Sequence, residues 1–205
     1  GDKSVLYELL PAIKDEFLSN TISITENMTK RGGGIIDIDL IDHSDEIPFY
    51  YQFFVTFNTC DSMGANFINS ILEAFGHTLQ DFFRRQEHLD DGDRNVEIIM
   101  CILSNYTPEC RVKVWVECPV SELDNVDEFL DGEQFAHKFK KAVDIAHIDP
   151  YRAATHNKGI YNGIDAVVIA TGNDFRATEA AGHSYASRDG RYKSLSYVEI
   201  NEGIF

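Results

Sequence analysis

The chain has 205 residues, 43% of them hydrophobic, and can therefore bury a core in one large or two small domains. Its formal net charge of -16, from 18 basic and 34 acidic residues, argues against nucleic-acid binding through phosphate neutralisation. No apolar run is long enough to cross a membrane, and the first ten residues lack the layout of a signal peptide. We expect a cytoplasmic protein without a membrane partner.

The first half of the chain predicts helices packed on an antiparallel sheet. SVLYELLPAIKDEFL has helical spacing that Pro11 interrupts, while GGGIIDIDLIDH and FYYQFFVTFNTC alternate like half-buried strands. A long helix follows, with Met63, Phe67, Ile71 and Phe75 on one face. NVEIIMCILSN and RVKVWVECPV then predict two more strands. Four strands and these helices give an α+β fold with a ferredoxin-like layer.

The second half changes character after Pro119. GEQFAHKFKKAVDIAHI predicts a helix that ends before Pro150, and AVVIATG predicts a short buried strand. DFRATEAAGHSYASRDG predicts a helix that Asp174 or Asn173 opens and Gly190 closes. The final run, YVEINEGIF, is strand-like and has no polar tail, so we expect the chain to be a piece of a longer protein.

The four cysteines lack the spacing of a metal site. They stand singly in apolar runs, without a CxxC or a Cys/His pattern. We interpret them as reduced thiols rather than as zinc ligands or redox groups, and we predict no metal.

The stretch TCDSMGANFIN joins a predicted strand to a predicted helix. The N-terminus of a helix offers free backbone N–H groups and a positive dipole end, both of which suit a phosphate. Asp61 is either part of such a site or only an N-cap, and Gly64 either faces a ligand or only allows close packing. The pattern is not GxGxxG, so a standard dinucleotide-binding fold is not predicted.

A second stretch, THNKGIYNG, surrounds Lys158 with small and amide residues in what we interpret as a loop. Asp174 follows sixteen positions later in TGND. A lysine held near a carboxylate can stabilise a developing oxyanion. The alternative is a surface lysine in a glycine-rich turn, with Asp174 acting only as a helix cap.

These motifs together resemble one enzyme family. RGGG, DSMGAN, ILSN and the long block from DPYRAATHNKG to ASRDG are similar to class II, bacterial-type 3-hydroxy-3-methylglutaryl-coenzyme A (HMG-CoA) reductases. The resemblance implies a small ferredoxin-like domain that binds the dinucleotide, over about residues 1–110. It implies that residues 111–205 are the central part of the large domain that binds the coenzyme A thioester.

The resemblance also assigns roles to individual residues. Lys158 matches the lysine that polarises the thioester carbonyl, and Asp174 matches the aspartate that positions this lysine. Arg152 and Asn162 match substrate-binding residues. The cofactor motif is matched by Asp61, Met63, Gly64 and Asn66, with Ser62 in place of the usual alanine, where its hydroxyl can compete for the helix cap.

The reaction that the resemblance implies converts HMG-CoA to mevalonate and coenzyme A by two hydride transfers from NAD(P)H. Its catalytic glutamate is expected before residue 1 and its catalytic histidine after Phe205, so the 205-residue chain alone should be inactive. We interpret His156 as a packing or supporting residue and His183 as a helix-face residue, and neither these nor His147 is the catalytic histidine.

Two further expectations concern the cofactor and assembly. The acidic run DIDLID and the class II resemblance favour NADH over NADPH. The family resemblance implies a homodimer or a multiple of it. The competing hypotheses are a non-catalytic paralogue that retains the fold and a ferredoxin-like ligand-binding module; survival of both Lys158 and Asp174 disfavours them.

Overall fold

The computed structural model of the chain describes residues 3–205 and has a mixed α+β architecture. The chain divides into two compact units between Leu103 and Ser104. This division lies shortly before the boundary predicted near residue 110. The assignment of the two units to cofactor and thioester binding stays a prediction.

The first unit contains four helices and one antiparallel pair of strands. Their bounds are α1 (Lys3–Asn20), α2 (Ile22–Thr29), β1 (Gly34–Asp42), β2 (Tyr51–Asn58), α3 (Ala65–Arg84) and the short α4 (Asp91–Arg94). Pro11 lies inside α1, so the predicted interruption is wrong. The helix continues because Ile13 and Phe17, at helical spacing, are both buried in the core of this unit.

The core of the first unit lies between the strand pair and the two long helices. Ile38 of β1 pairs with Val55 of β2, and a bulge between Ile35 and Asp37 shifts the register near the start of β1. Phe17 of α1 stacks on Phe75 of α3 at 4.1 Å between ring centroids. Its ring also meets Phe53 of β2 edge-on at 5.2 Å. These aromatic contacts hold both helices against one face of the strand pair.

The four-stranded ferredoxin-like sheet is not formed in the part of the chain that the structure describes. Residues 95–105, predicted as a strand, have no strand partner there, and residues 95–103 instead lie along α3. There the Leu103 amide donates to Asn69 Oδ1 at 3.0 Å, and a Cβ at Gly76 would lie 2.7 Å from Cys101 Sγ. The alternating pattern therefore reflects packing against a helix on one side only.

Residues 111–120, also predicted as a strand, form no strand among the described residues; their one bridge, at Pro119, is isolated. Val112 and Val116 are each 91% exposed, and Val114 is 83% exposed. An alternating sequence needs a partner edge before it becomes a strand, and the described structure provides none here.

The second unit is built from three long helices and an irregular C-terminal segment. They are α5 (Gly132–Ile148), α6 (Pro150–Ala170) and α7 (Phe175–Ala186), preceded by a 3₁₀ turn at Val120–Leu123. The helix predicted before Pro150 is confirmed as α5. Asp149 caps α6, because its side chain accepts a hydrogen bond from the Tyr151 amide.

Two strands predicted in this unit are wrong. AVVIATG begins inside α6 and ends in the turn after it. YVEINEGIF forms only isolated bridges, in which Ile204 pairs with Pro119 and Asn201. Phe205 nevertheless exchanges two backbone hydrogen bonds with Cys118, so the final residues return to the start of the unit.

The four cysteines are free, as predicted, and none lies in a strand. Within residues 3–205, no group of three His, Cys, Asp or Glu side chains is arranged to hold a metal ion. None of the helices in this described part is both long and apolar enough to cross a membrane.

Candidate functional site

The lysine singled out in the sequence lies on the exposed face of α6. Lys158 is in the middle of this helix, so the predicted glycine-rich loop is wrong. Asn162 follows one helical turn later, and it too is exposed. A Cβ placed on Gly159 or Gly163 would meet no atom within 4 Å. This face therefore presents an ammonium and an amide beside an unobstructed strip of helix backbone.

The opposite face of α6 is anchored by residues that the sequence did not single out. Ala153, Asn157 and Tyr161 are buried at intervals of four residues. The Asn157 amide nitrogen donates to Lys193 O at 2.9 Å, while its Oδ1 accepts from the Leu195 amide at 3.0 Å. The four-residue spacing was the available signal for a helix, and it fixes Lys158 on the outward side.

Asp174 caps α7, as predicted. Its Oδ1 accepts from the Arg176 amide at 3.0 Å and from the Ala177 amide at 3.3 Å. The Arg176 guanidinium lies 3.3 Å from Oδ2. The Arg176 side chain, followed by the Ala177 backbone bond, lowers the pKa of the Asp174 carboxyl. Across residues 3–205 the ion pair of Asp174 is with Arg176 and not with Lys158, so the contact between Asp174 and Lys158 stays a prediction.

Arg152 and the three histidines considered in the sequence lie in different settings within the second unit. Arg152 is exposed in the first turns of α6. The His156 ring contacts Ser196 Oγ at 2.7 Å, and the His147 ring contacts Ser196 O at 2.9 Å. His183, on α7, contacts Tyr192 Oη at 2.7 Å. All three rings are thus used in contacts within the unit, in agreement with the supporting role predicted for His156.

The pKa of His156 predicts a pH dependence of stability. Burial, then the positive charges of Arg152 and His147, lower its pKa from the usual 6.5. Below pH 6.5 the folded state therefore binds fewer protons than the unfolded state. The contribution of neutral His156 to the free energy of unfolding is complete above pH 6.5 and is lost as the pH falls through the lowered pKa.

We expect the unfolding free energy of the chain to decrease as the pH falls below about 6.5, measured by urea titration at several pH values. His156→Gln should flatten this decrease, whereas His137→Gln, which changes an exposed histidine on α5, should not. An unaltered slope in His156→Gln would contradict the assignment.

The DSMGAN motif forms a tight turn at the start of α3. Gly64 has φ +73 and caps the helix, and a Cβ there would lie 2.4 Å from Thr59 Cγ2. Only glycine fits this position. The Thr59 hydroxyl donates to Ser62 O at 2.6 Å, and the Ser62 hydroxyl donates to Thr59 O at 2.8 Å. Asp61 is exposed and does not cap α3, so its interpretation as an N-cap is wrong.

The RGGG segment lies against the same turn. A Cβ on Gly33 would lie 2.5 Å from Asn58 O and 2.9 Å from Cys60 Sγ. Cys60 itself has φ +55 and donates its thiol hydrogen to Arg31 O at 3.4 Å. The family resemblance named both motifs, and the structure brings them together.

The start of α3 fits a group that carries a phosphate. No side chain caps the helix, so the N–H groups of its first turn are free of side-chain acceptors. Asp61, Met63 and Asn66 are exposed around this turn. Met63 precedes the helix, so its predicted place on the apolar face is wrong, while Phe67, Ile71 and Phe75 do face the core.

Comparison with known proteins defines the class to which this arrangement belongs. Residues 4–203 match the family model described as hydroxymethylglutaryl-coenzyme A reductase. The chain therefore belongs to the hydroxymethylglutaryl-coenzyme A reductase family, and the resemblance inferred from its motifs is confirmed.

Two individual relatives support this family membership. The chain is 33% identical over 192 residues to the 3-hydroxy-3-methylglutaryl-coenzyme A reductase of Archaeoglobus fulgidus, covering 92% of this chain and 39% of that protein. It is 35% identical over 170 residues to a probable reductase of the same name from Borreliella burgdorferi, covering 83% and 36%. The chain thus spans well under half the length of these relatives.

Solved structures show the same relationship. The 3-hydroxy-3-methylglutaryl-coenzyme A reductase of Streptococcus pneumoniae matches with a TM-score of 0.68 and 36% identity, over 91% of this chain and 47% of that one. A class II enzyme from the same organism, solved bound to NADPH in open conformations, matches with a TM-score of 0.65 and 36% identity, over 88% and 40%.

Proposed function

We propose that the full-length protein is an NAD(P)H-dependent reductase that converts HMG-CoA to mevalonate and coenzyme A. The observation that carries this proposal is the open face of α6, where Lys158 and Asn162 project from a helix anchored on its other side. The family membership of the chain supports the choice of substrate.

The face of α6 suits the two reductions of a thioester. Lys158 is exposed, and its ammonium can donate to the thioester carbonyl oxygen. The first hydride gives a tetrahedral oxyanion that the ammonium stabilises; the C–S bond then breaks, and the departing thiolate takes a proton. The second hydride reduces the resulting aldehyde, whose oxygen takes the second proton. Two hydrides and two protons balance the reaction.

Asn162 and Arg152 are proposed to bind the acyl substrate. Asn162 lies one turn from Lys158 on the same side of α6, so its amide can contact a group held by the lysine. Arg152 is exposed near the start of the helix and can pair with a carboxylate. Gly159 and Gly163 leave space for the substrate to approach the helix backbone.

Asp174 is proposed to position Lys158 in the full-length enzyme. Its carboxylate is ionised at neutral pH, since the Arg176 side chain lowers its pKa further below the usual 3.8. The Arg176 side chain is 78% exposed, so its ion pair with Asp174 is weak and can be shared or replaced. The carboxylate is then able to accept from the lysine while it caps α7.

The first unit is proposed to hold the nicotinamide dinucleotide, which supplies both hydrides when bound. The packing of α3 on the β1–β2 pair and the free N–H groups at its start support this role. Asp61, Met63, Gly64 and Asn66 would line the cofactor there.

The choice between NADH and NADPH rests on two opposed observations. The acidic run of β1 favours NADH, but the Asp42 carboxylate accepts from the Ser44 amide, and Asp37 accepts from the Ile38 amide. These contacts reduce the number of carboxylates on β1 that are free to face a ribose. The NADPH complex of the Streptococcus pneumoniae enzyme favours the phosphorylated cofactor. Titration of the full-length protein with both cofactors decides between them.

The test of the proposed function is HMG-CoA-dependent oxidation of NADH or NADPH by the full-length protein, with mevalonate identified as the product. The 205-residue chain alone serves as the negative control, since it spans less than half of its relatives. A folded full-length protein that oxidises neither cofactor would refute the proposal.

We also propose that the full-length enzyme is a homodimer or a multiple of it. The family membership of the chain supports this proposal, and most soluble homo-oligomers have closed symmetry, with dimers the commonest. Sedimentation velocity should give a dimer or a larger even assembly at concentrations where the enzyme is active. An active, strictly monomeric enzyme would contradict this prediction.

A further inference from the structure

Tyr161 of α6 and Gly182 of α7 form a close contact to which the proposed chemistry gives no role. Tyr161 is only 5% exposed. A Cβ on Gly182 would lie 1.6 Å from Tyr161 Oη and 2.9 Å from Cζ. The phenol therefore occupies the space that any side chain at position 182 would fill. The two residues form a matched pair of a large and an absent side chain.

The same phenol is linked to the turn that contains Asp174. The Tyr161 hydroxyl donates to Thr178 O at 3.4 Å. The Thr178 amide and hydroxyl both donate to Asp174 O, at 3.2 and 3.1 Å. A short series of contacts therefore runs from α6, through Thr178, to the residue that caps α7.

Tyr161 also lies, in sequence, between the proposed catalytic lysine and a residue proposed to bind substrate. It is three positions after Lys158 and one before Asn162, on the buried side of the same helix. Burial, then the charges of Tyr192, Asp165 and Glu179, raise its pKa, so the hydroxyl remains a donor at neutral pH. Its ring centroid is 4.8 Å from that of His183, which adds a second contact with α7.

We propose that Tyr161 is a positioning residue, whose phenol in the space left by Gly182 sets the place of Asp174 relative to the helix that contains Lys158. This inference rests on the proposed function for its catalytic consequence. The packing of Tyr161 against α7 is independent of that function. A purely structural role would change the stability of the second unit and leave the catalytic rate intact.

The experiment is a compensation test in the full-length enzyme with HMG-CoA and the preferred nicotinamide cofactor. Gly182→Ala should displace α7 and lower kcat by about 10-fold to 100-fold, since small misplacements of reacting groups have effects of this size. Tyr161→Phe removes the hydroxyl, the nearer of the two atoms that the new Cβ would meet, and leaves Cζ at 2.9 Å, so the recovery should be partial. The double variant should therefore recover several-fold in kcat over Gly182→Ala alone, a non-additive result.

Controls separate positioning from stability. Tyr151→Phe removes a phenol hydroxyl from an 89% exposed residue of α6 and should leave kcat unchanged. All variants are assayed well below their melting temperatures. If Gly182→Ala lowers the melting temperature but keeps kcat within about twofold of the wild type, the proposal is overturned. It is also overturned if the two single effects on kcat simply multiply in the double variant.

Failure of the proposed function can be told apart from failure of this inference. Amide hydrogen exchange at Thr178 reports the first turn of α7 directly, and Gly182→Ala should accelerate it while the double variant restores protection. If the wild type has no reductase activity, the proposed function fails, and the exchange measurement alone decides the coupling. Unchanged exchange at Thr178 in Gly182→Ala would overturn the proposed coupling between Tyr161 and the start of α7.

Discussion

Lys158→Ala is expected to lower kcat of the full-length enzyme by about 10² to 10³-fold or more, with little change in substrate affinity. The ammonium is exposed on α6, and within residues 3–205 it makes no hydrogen bond or ion pair that would keep it from a bound carbonyl oxygen. Its interaction with that oxygen strengthens as negative charge develops in the transition state. Steady-state kinetics with HMG-CoA, together with a thermal melt, measure the effect.

Lys138→Ala is the matched control, because Lys138 is an exposed lysine in the middle of α5. It should leave both kcat and KM unaltered. Since Lys158 is exposed, its replacement by alanine should also leave the melting temperature near that of the wild type. Near-wild-type kcat in Lys158→Ala would mean that α6 does not contain the reacting lysine.

Asp174→Asn is the second change with a large expected effect. Asparagine caps helices about as well as aspartate, so α7 should still begin at Phe175. The negative charge is lost, however, and a neighbouring lysine is then no longer held in its charged form and position. We expect kcat to fall by orders of magnitude at neutral pH, measured in the same assay.

Asp189→Asn provides a control of the same chemistry. Asp189 also has a lowered pKa, caused first by the hydrogen bond from the Lys193 side chain, and it follows α7 rather than preceding it. Its replacement should leave kcat unchanged. If Asp174→Asn and Asp189→Asn behave alike, Asp174 acts as a cap and has no part in catalysis.

The lowered pKa of Asp174 also predicts how its contribution to folding stability depends on pH. Its folded pKa is lowered below the usual 3.8, so its contribution is present above that value and is lost as the pH falls through the lowered pKa. The wild-type carboxylate therefore stays ionised near neutral pH, and a loss of activity there in Asp174→Asn reports the removal of its negative charge. The loss of folding stability on protonation of Asp174 therefore occurs at acid pH, whereas the loss of activity in Asp174→Asn is measured near neutral pH.

Helices with clear end signals could be predicted from the sequence. Asp174 before α7 and Pro150 after α5 mark boundaries that depend on local backbone chemistry. α6 also has a start signal, Asp149 followed by Pro150, but it was not predicted as a helix, because Gly159, Gly163 and the β-branched Val167 disfavour a helix locally. Its buried face, with Asn157 hydrogen-bonded on both sides of its amide, outweighs those preferences.

The strand predictions were wrong for a different reason. Alternation in residues 95–103 correctly indicates one buried and one exposed side, but the buried side meets α3 rather than a sheet. Whether an alternating run pairs depends on which element reaches it, and that is a property of tertiary structure. The site residues came from motif resemblance, whereas the anchoring roles of Asn157 and Gly182 required coordinates.

Gly159 and Gly163 place the second unit under two opposed demands. Each glycine in a helix interior costs about 1 kcal/mol relative to alanine, and nothing in the described structure would obstruct a methyl group at either position. A laboratory selection for heat resistance alone should therefore exchange both for alanine. A selection that also requires turnover should restore glycine wherever the thioester must touch the helix backbone, so the two selections together would map the floor of the binding site.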